Sequence, residues 1–111
     1  DDDDLVVVHD EIDLPFGRVK VKSGGGHGGH NGLRSIFRDA GMREFLRVRV
    51  GVGRPRGDAA GHVLSAFNKV ERDELPFLID RAADAVEALI RDGFVMAANA
   101  INGSSPATDA V

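Results

Sequence analysis

Leu5-Val6-Val7-Val8-His9, the break Asp10-Glu11-Ile12-Asp13-Leu14-Pro15-Phe16-Gly17, and Arg18-Val19-Lys20-Val21-Lys22 decide the fold. The first segment is a continuous β-branched run, the pattern of a strand buried on both faces. Turn residues then interrupt it. The third segment alternates strictly, which puts Val19 and Val21 on one face and three cations on the other. Further along, Phe45 to Val52 alternates again: Leu46, Val48, Val50 and Val52 share one face, Arg47 and Arg49 the opposite one.

Two helical patterns separate and follow these strands. Leu33, Ile36 and Phe37 fall at helical spacing, so a helix is expected from about Asn31 to Asp39, capped by Asn31 and ending near Gly41. Glu71 to Arg91 carries the stripe Leu75, Leu78, Ile79, Ala82, Ala83, Val86, Leu89 and Ile90. Pro76 belongs in its first turn, which places the start near Glu71 to Asp73. Asp92-Gly93 stops it, and Phe94 to Ile101 forms a second short helix. The order strand, strand, helix, strand, long helix, helix implies an α/β domain: a mixed, mostly parallel twisted sheet covered by helices. A central strand needs neighbours on both sides, and three strands supply few. The single domain is therefore expected to be incomplete at its N-terminus.

Composition narrows the chemistry. At 111 residues and 42% hydrophobic, the chain suits one small core. It lacks cysteine, which excludes disulfides and zinc-thiolate sites and fits a cytoplasmic setting. Its apolar runs are too short to span a bilayer. The net charge of −4 hides a segregation. Phe16 to Arg56 contains ten basic residues against Asp39 and Glu44, while the remainder holds four basic and sixteen acidic residues. A basic face for a polyanion needs this arrangement. Solvated faces that happen to be basic would also produce it, and charge alone leaves both readings open.

The block Ser23-Gly24-Gly25-Gly26-His27-Gly28-Gly29-His30-Asn31-Gly32-Leu33-Arg34-Ser35 leads into a helix N-terminus. Its glycines let backbone amides approach a ligand. Gly24, Gly26 and Gly29 satisfy the dinucleotide fingerprint, but the preceding strand is cationic and amphipathic rather than buried. The absence of a following Gly-Lys-Ser/Thr excludes a phosphate-binding P-loop. His9, Asp10, His27 and His30 are suitable metal ligands by type, at a spacing that matches no established metal pattern. A crevice in which His30 and Asn31 hydrogen-bond a substrate is the third reading, and a tight crossover with incidental histidines the plainest. His9-Asp10-Glu11 closes a buried strand, where α/β sheets collect ligands. A carboxylate there can orient a catalytic histidine, or Asp10 and Asp13 can simply cap a turn.

Taken together, His9-Asp10-Glu11-Ile12-Asp13-Leu14-Pro15-Phe16-Gly17 and Gly24 to Ser35 closely resemble the bacterial peptidyl-tRNA hydrolase family. Leu46-Arg47-Val48-Arg49-Val50-Gly51-Val52-Gly53-Arg54-Pro55 and Val63-Leu64-Ser65-Ala66-Phe67 fit the same pattern. The resemblance covers nearly the whole chain, in order. It implies an esterase that cleaves the bond between peptide and tRNA and so recycles tRNA from prematurely released peptidyl-tRNA. It implies that Asp10 orients and stabilises a general-base histidine. Gly29, His30 and Asn31 would contact the peptidyl end, and Lys20, Lys22 and Arg49 would grip a terminal phosphate. Family members begin with a glycine-rich strand carrying the general base, and no such stretch occurs in these residues. His9 and His30 match family histidines that serve elsewhere, so the base is expected outside the chain and the 111 residues alone are expected to be inactive. Residues 1–102 would then be the C-terminal portion of one domain, and 103–111 a disordered tail. A monomer is implied, with no cofactor, metal or membrane. The alternative is a non-catalytic tRNA- or RNA-binding module built on the basic strands and the glycine loop.

Overall fold

The computed structural model describes residues 5–54 and 67–103. β1 (Val6–Glu11), β2 (Val19–Ser23), α1 (Asn31–Ala40), β3 (Leu46–Gly51) and α2 (Lys69–Asn102) follow in that order. The sheet order is β1-β3-β2, with β1 and β3 parallel and β2 and β3 antiparallel. The expected α/β class with a mixed sheet is what the chain adopts, with one ladder of each kind. β3 enters between its two predecessors, so the 12–18 turn must cross over its end. There Gly17 N–H donates to the Gly51 carbonyl, and Gly51 N–H to the Arg18 carbonyl at 2.7 Å. A Cβ on Gly51 would stand 2.1 Å from the Pro15 carbonyl oxygen, so the crossing requires glycine. Leu14 plugs the same turn and is fully buried.

Alternation assigns the two faces of the sheet. Val19, Val21, Leu46 and Val48 pack against Leu78, Ala82, Ala85, Leu89 and Ala97 of α2. The alanines let the helix lie close to the strands. On the other face sit α1, with Leu33 buried, and the Phe37 and Phe45 rings in edge contact at 5.9 Å. Asn102 holds the outer edge of β2 through two hydrogen bonds with the Val21 backbone, at 2.9 and 3.0 Å. A side-chain amide thus stands where a further strand would pair.

Several local expectations need correction. β1 is not buried on both faces: Val8 is 51% exposed, and among the described residues β1 pairs only with β3. α2 starts at Lys69, because Asn68 and Glu71 form a reciprocal capping box. Pro76 therefore lies inside the helix, where its missing N–H leaves the Arg72 carbonyl without its helical donor. Ile79 and Ile90 are exposed, and Ala85 and Ala88 occupy the buried stripe in their place. The expected stop is present: Gly93 takes φ 80°, ψ 172° and splits α2 into two helical segments. α1 runs from Asn31, but its cap is His30, with Gly41 closing the far end. The 103–111 tail, the Pro/Gly loop after Arg54 and the stretch Val63 to Ala66 lie, apart from Gly103, outside the described residues. No helix among the described residues is long and apolar enough to cross a membrane.

Candidate active site

Asp10 stands near the C-terminal end of β1, and the glycine block carries His30 back to it. Between them the chain makes a tight turn: His30 N–H donates to the His27 carbonyl at 2.8 Å, across Gly28 and Gly29 at φ 56° and 82°. Successive positive φ values are tolerated there because neither residue has a Cβ. Gly29 N–H also donates to His27 Nδ1 at 2.9 Å. The turn delivers His30 to the N-cap of α1, where its Nδ1 accepts from Leu33 N–H at 3.1 Å.

That cap assigns the His30 tautomer. An Nδ1 that accepts a hydrogen bond is unprotonated, so the neutral ring carries its proton on Nε2. Nε2 donates it to Asp10 Oδ1 at 2.6 Å. By the same reasoning His27 is protonated on Nε2. His9 is the reverse case, because its Nδ1 faces the Asp10 carbonyl at 2.8 Å and must donate. Its bare Nε2 is buried with no partner, and its ring stands edge-on to His30 with centroids 5.1 Å apart.

These contacts shift the titration of two groups. Burial opposes the ionised form of Asp10, but the His30 hydrogen bond and the neighbouring histidine charges outweigh it and hold the carboxyl below its usual value. His9 is pushed below 6.5, chiefly by burial and further by the His30 and Arg47 charges, against the opposing pull of the Asp10 carbonyl and Glu11.

The expected phosphate cations lie on the same face of the sheet. Lys20 is directly opposite Arg49, and Arg49 is in register with His9, so the three stand side by side on adjacent strands. At about 4.8 Å per strand, this row spans roughly 10 Å and ends at His9, the residue before Asp10. Arg49 is already engaged: its Nε lies 3.3 Å from Glu11 Oε1, and both side chains are mostly buried. Lys22 is exposed and its ammonium lies over Gly25, where a Cβ would come within 2.8 Å of Nζ. Gly29 and Asn31 are exposed at the mouth of the loop and on the first turn of α1. The contact between His30 and Asp10 thus brings the loop that carries Gly29 and Asn31 to the end of β1, and the cation row lies on the adjoining strands. Among the described residues, no three side chains of His, Cys, Asp or Glu come together as metal ligands.

Arg47 is the residue that alternation misjudged. It was expected beside Arg49 on a polar face, and the face is correct, but the side chain is only 2% exposed. Its guanidinium donates to the carbonyls of Gly25 and Gly26, both at 2.6 Å, and of Arg43 at 3.0 Å. The signal was present in principle: a glycine loop stripped of side chains leaves carbonyls that need a donor from elsewhere.

A sequence model of the family "Peptidyl-tRNA hydrolase" matches residues 1–109. The chain is 61% identical over 98 residues to a peptidyl-tRNA hydrolase of Renibacterium salmoninarum, covering 86% of this chain and 50% of that protein. It is 56% identical over 91 residues to one of Geobacter metallireducens, covering 81% and 47%. Among solved structures, a peptidyl-tRNA hydrolase in complex with N-propanol matches with TM-score 0.74 and 38% identity, over 92% of this chain and 53% of the other. The Acinetobacter baumannii enzyme matches with TM-score 0.72 and 38% identity, over 87% and 50%. The chain spans about half the length of the curated relatives it matches, and it belongs to the peptidyl-tRNA hydrolase family.

Proposed function

We propose that these residues form the substrate-gripping half of a peptidyl-tRNA hydrolase, which cleaves the ester between peptide and tRNA and recycles tRNA from prematurely released peptidyl-tRNA. Asp10 orients a general-base histidine supplied from outside the chain and stabilises its imidazolium. Gly29, His30 and Asn31 bind the peptidyl end, and Lys20, Lys22 and Arg49 hold a phosphate of the tRNA.

One observation supports a base other than His9, His27 and His30: none of these three has an accessible free lone pair. Nδ1 of His30 and of His27 each accept a backbone N–H, and the bare Nε2 of His9 is buried. Protonating His30 on Nδ1 would break the cap of α1. His62, the remaining histidine, lies outside the described residues. The aspartate has a hydrogen-bonded, ionised carboxylate of the kind that steadies an imidazolium.

The test uses N-acetyl-aminoacyl-tRNA as substrate. The chain should not turn it over, whereas a chimaera in which these residues replace the matching half of the Renibacterium enzyme should. Turnover by the chain at an ordinary enzymatic rate would overturn the external base. An inert chimaera that folds and binds tRNA would favour the second reading, a non-catalytic RNA-binding module, for which the Lys20–Arg49–His9 row is the supporting observation.

A further inference from the structure

We propose that Arg47 is a positioning residue that sets the glycine loop, and through it the tautomer and placement of His30 against Asp10. The inference deepens the functional proposal above, and its catalytic meaning rests on that proposal.

Arg47 leaves β3 near its start, on the face away from α2. Its two terminal nitrogens reach three carbonyls, those of Gly25 and Gly26 in the loop and that of Arg43 in the connection from α1. The planar group is also held by rings, 4.7 Å from the Phe45 centroid and 5.4 Å from that of Phe37. A guanidinium meets both demands at once, because it presents several donors in a rigid plane and stacks on aromatics. Lysine has neither property.

The loop has little else to fix it at that point. Gly25 and Gly26 have no side chains to pack, and the next residue, His27, leans on Phe37 with centroids 5.5 Å apart. Phe37 is the ring Arg47 stacks on. His27 then anchors the turn to His30 through its carbonyl and its Nδ1. A continuous path of contacts therefore runs from Arg47 through Gly25, Gly26 and His27 to His30 and Asp10. Releasing the first carbonyls lets the turn drift, so His30 can no longer cap α1 and reach Asp10 together.

Ring-nitrogen NMR on the chain reads this directly. In the parent, His30 Nδ1 should resonate as an unprotonated acceptor and Nε2 as a protonated donor coupled to Asp10. In Arg47→Lys the two nitrogens should move toward the average of exchanging tautomers and the Asp10 coupling should vanish, while amides of the β2–α2 core keep their exchange protection. A merely structural arginine would change protection without changing the tautomer. An Arg47→Lys chain that keeps the His30 signature overturns the proposal. Should that variant fail to fold, Phe37→Leu removes the stacking ring and no hydrogen bond. Guanidinium and His30 resonances should then shift together, and a shifted guanidinium with an unmoved His30 overturns the proposal. Neither spectrum depends on substrate, so the test stands apart from the chemistry assigned to the site.

Discussion

The two faces of β3 are both buried by opposite means. Toward α2, Leu46 and Val48 meet Leu78, Ala82 and Leu89 through aliphatic contact alone. Toward the glycine loop, Arg47 is buried as deeply but is held by three carbonyls and two rings. Aliphatic packing is non-directional and forgives substitutions that conserve volume. The polar face is directional, and an unmatched donor or acceptor there costs the full desolvation of that group. One face therefore sets how stable the chain is, and the other sets where Asp10 and His30 stand.

The largest effect separates the faces by chemistry. In the chimaera, Asp10→Asn should lower the initial rate on N-acetyl-aminoacyl-tRNA on the order of 10²–10⁴-fold, the range for loss of general-base assistance. Its thermal midpoint should stay near that of the parent, since the carboxylate is half exposed. Unchanged turnover would remove Asp10 from its role. On the opposite face, Leu78→Ala should cost about 2–5 kcal/mol in chemical denaturation, because Leu78 is fully buried and the cavity lies against β2 and β3. The His30 nitrogen signature should be unaffected where the variant is folded. A shift there would mean that the two faces are coupled.

A smaller effect tests the cation row. If Lys22 contacts a phosphate, Lys22→Ala should flatten the dependence of log affinity for tRNA on log salt by about 0.7–0.9. Arg49→Ala should flatten it less, because Glu11 already neutralises part of that charge. Glu11→Gln should correspondingly tighten binding. Equal slopes for the two alanine variants would show that the Arg49–Glu11 pair gives way when RNA binds.

The smallest effect is in the pH dependence of stability. In the unfolded chain His9 gains a proton as pH falls through 6.5, while the folded site keeps the ring neutral to lower pH. Between those values the unfolded state binds more protons, so stability should fall with pH across that window. Asp10 contributes at lower pH: its folded value lies below the ordinary 3.8, so its contribution is lost as pH falls through that range. His9→Gln should flatten the first leg and leave the second. Denaturant midpoints from pH 7 to pH 3 would distinguish them, and an unchanged upper leg in the variant would assign the effect to another group.

Much of this architecture was legible. Alternation in 18–22 and 45–52 correctly placed Val19, Val21, Leu46 and Val48 on one face, because side chains on a strand must alternate. Gly41 and Gly93 ended helices where positive φ was needed. The helix caps were less legible. Asn31 is a better cap by type than His30, yet His30 takes the position because the preceding turn aims its ring at Leu33 N–H. Pro76 suggested a start near Glu71 to Asp73, whereas the capping box at Asn68 and Glu71 begins the helix two to four residues earlier, at Lys69.

Local rules thus determined which residues form strands and helices, where the glycine loop lies, and which side chains share a face, since each follows from backbone geometry over a few residues. Only the tertiary structure decided that Arg47 is buried and Ile79 exposed. It alone paired Arg49 with Glu11, and chose the tautomers of His9 and His30. Those outcomes depend on which surface covers each face and which donors meet which acceptors. Contacts between residues such as Asp10 and His30, or Arg47 and Gly25, are made across the fold, and no periodicity within a segment encodes them.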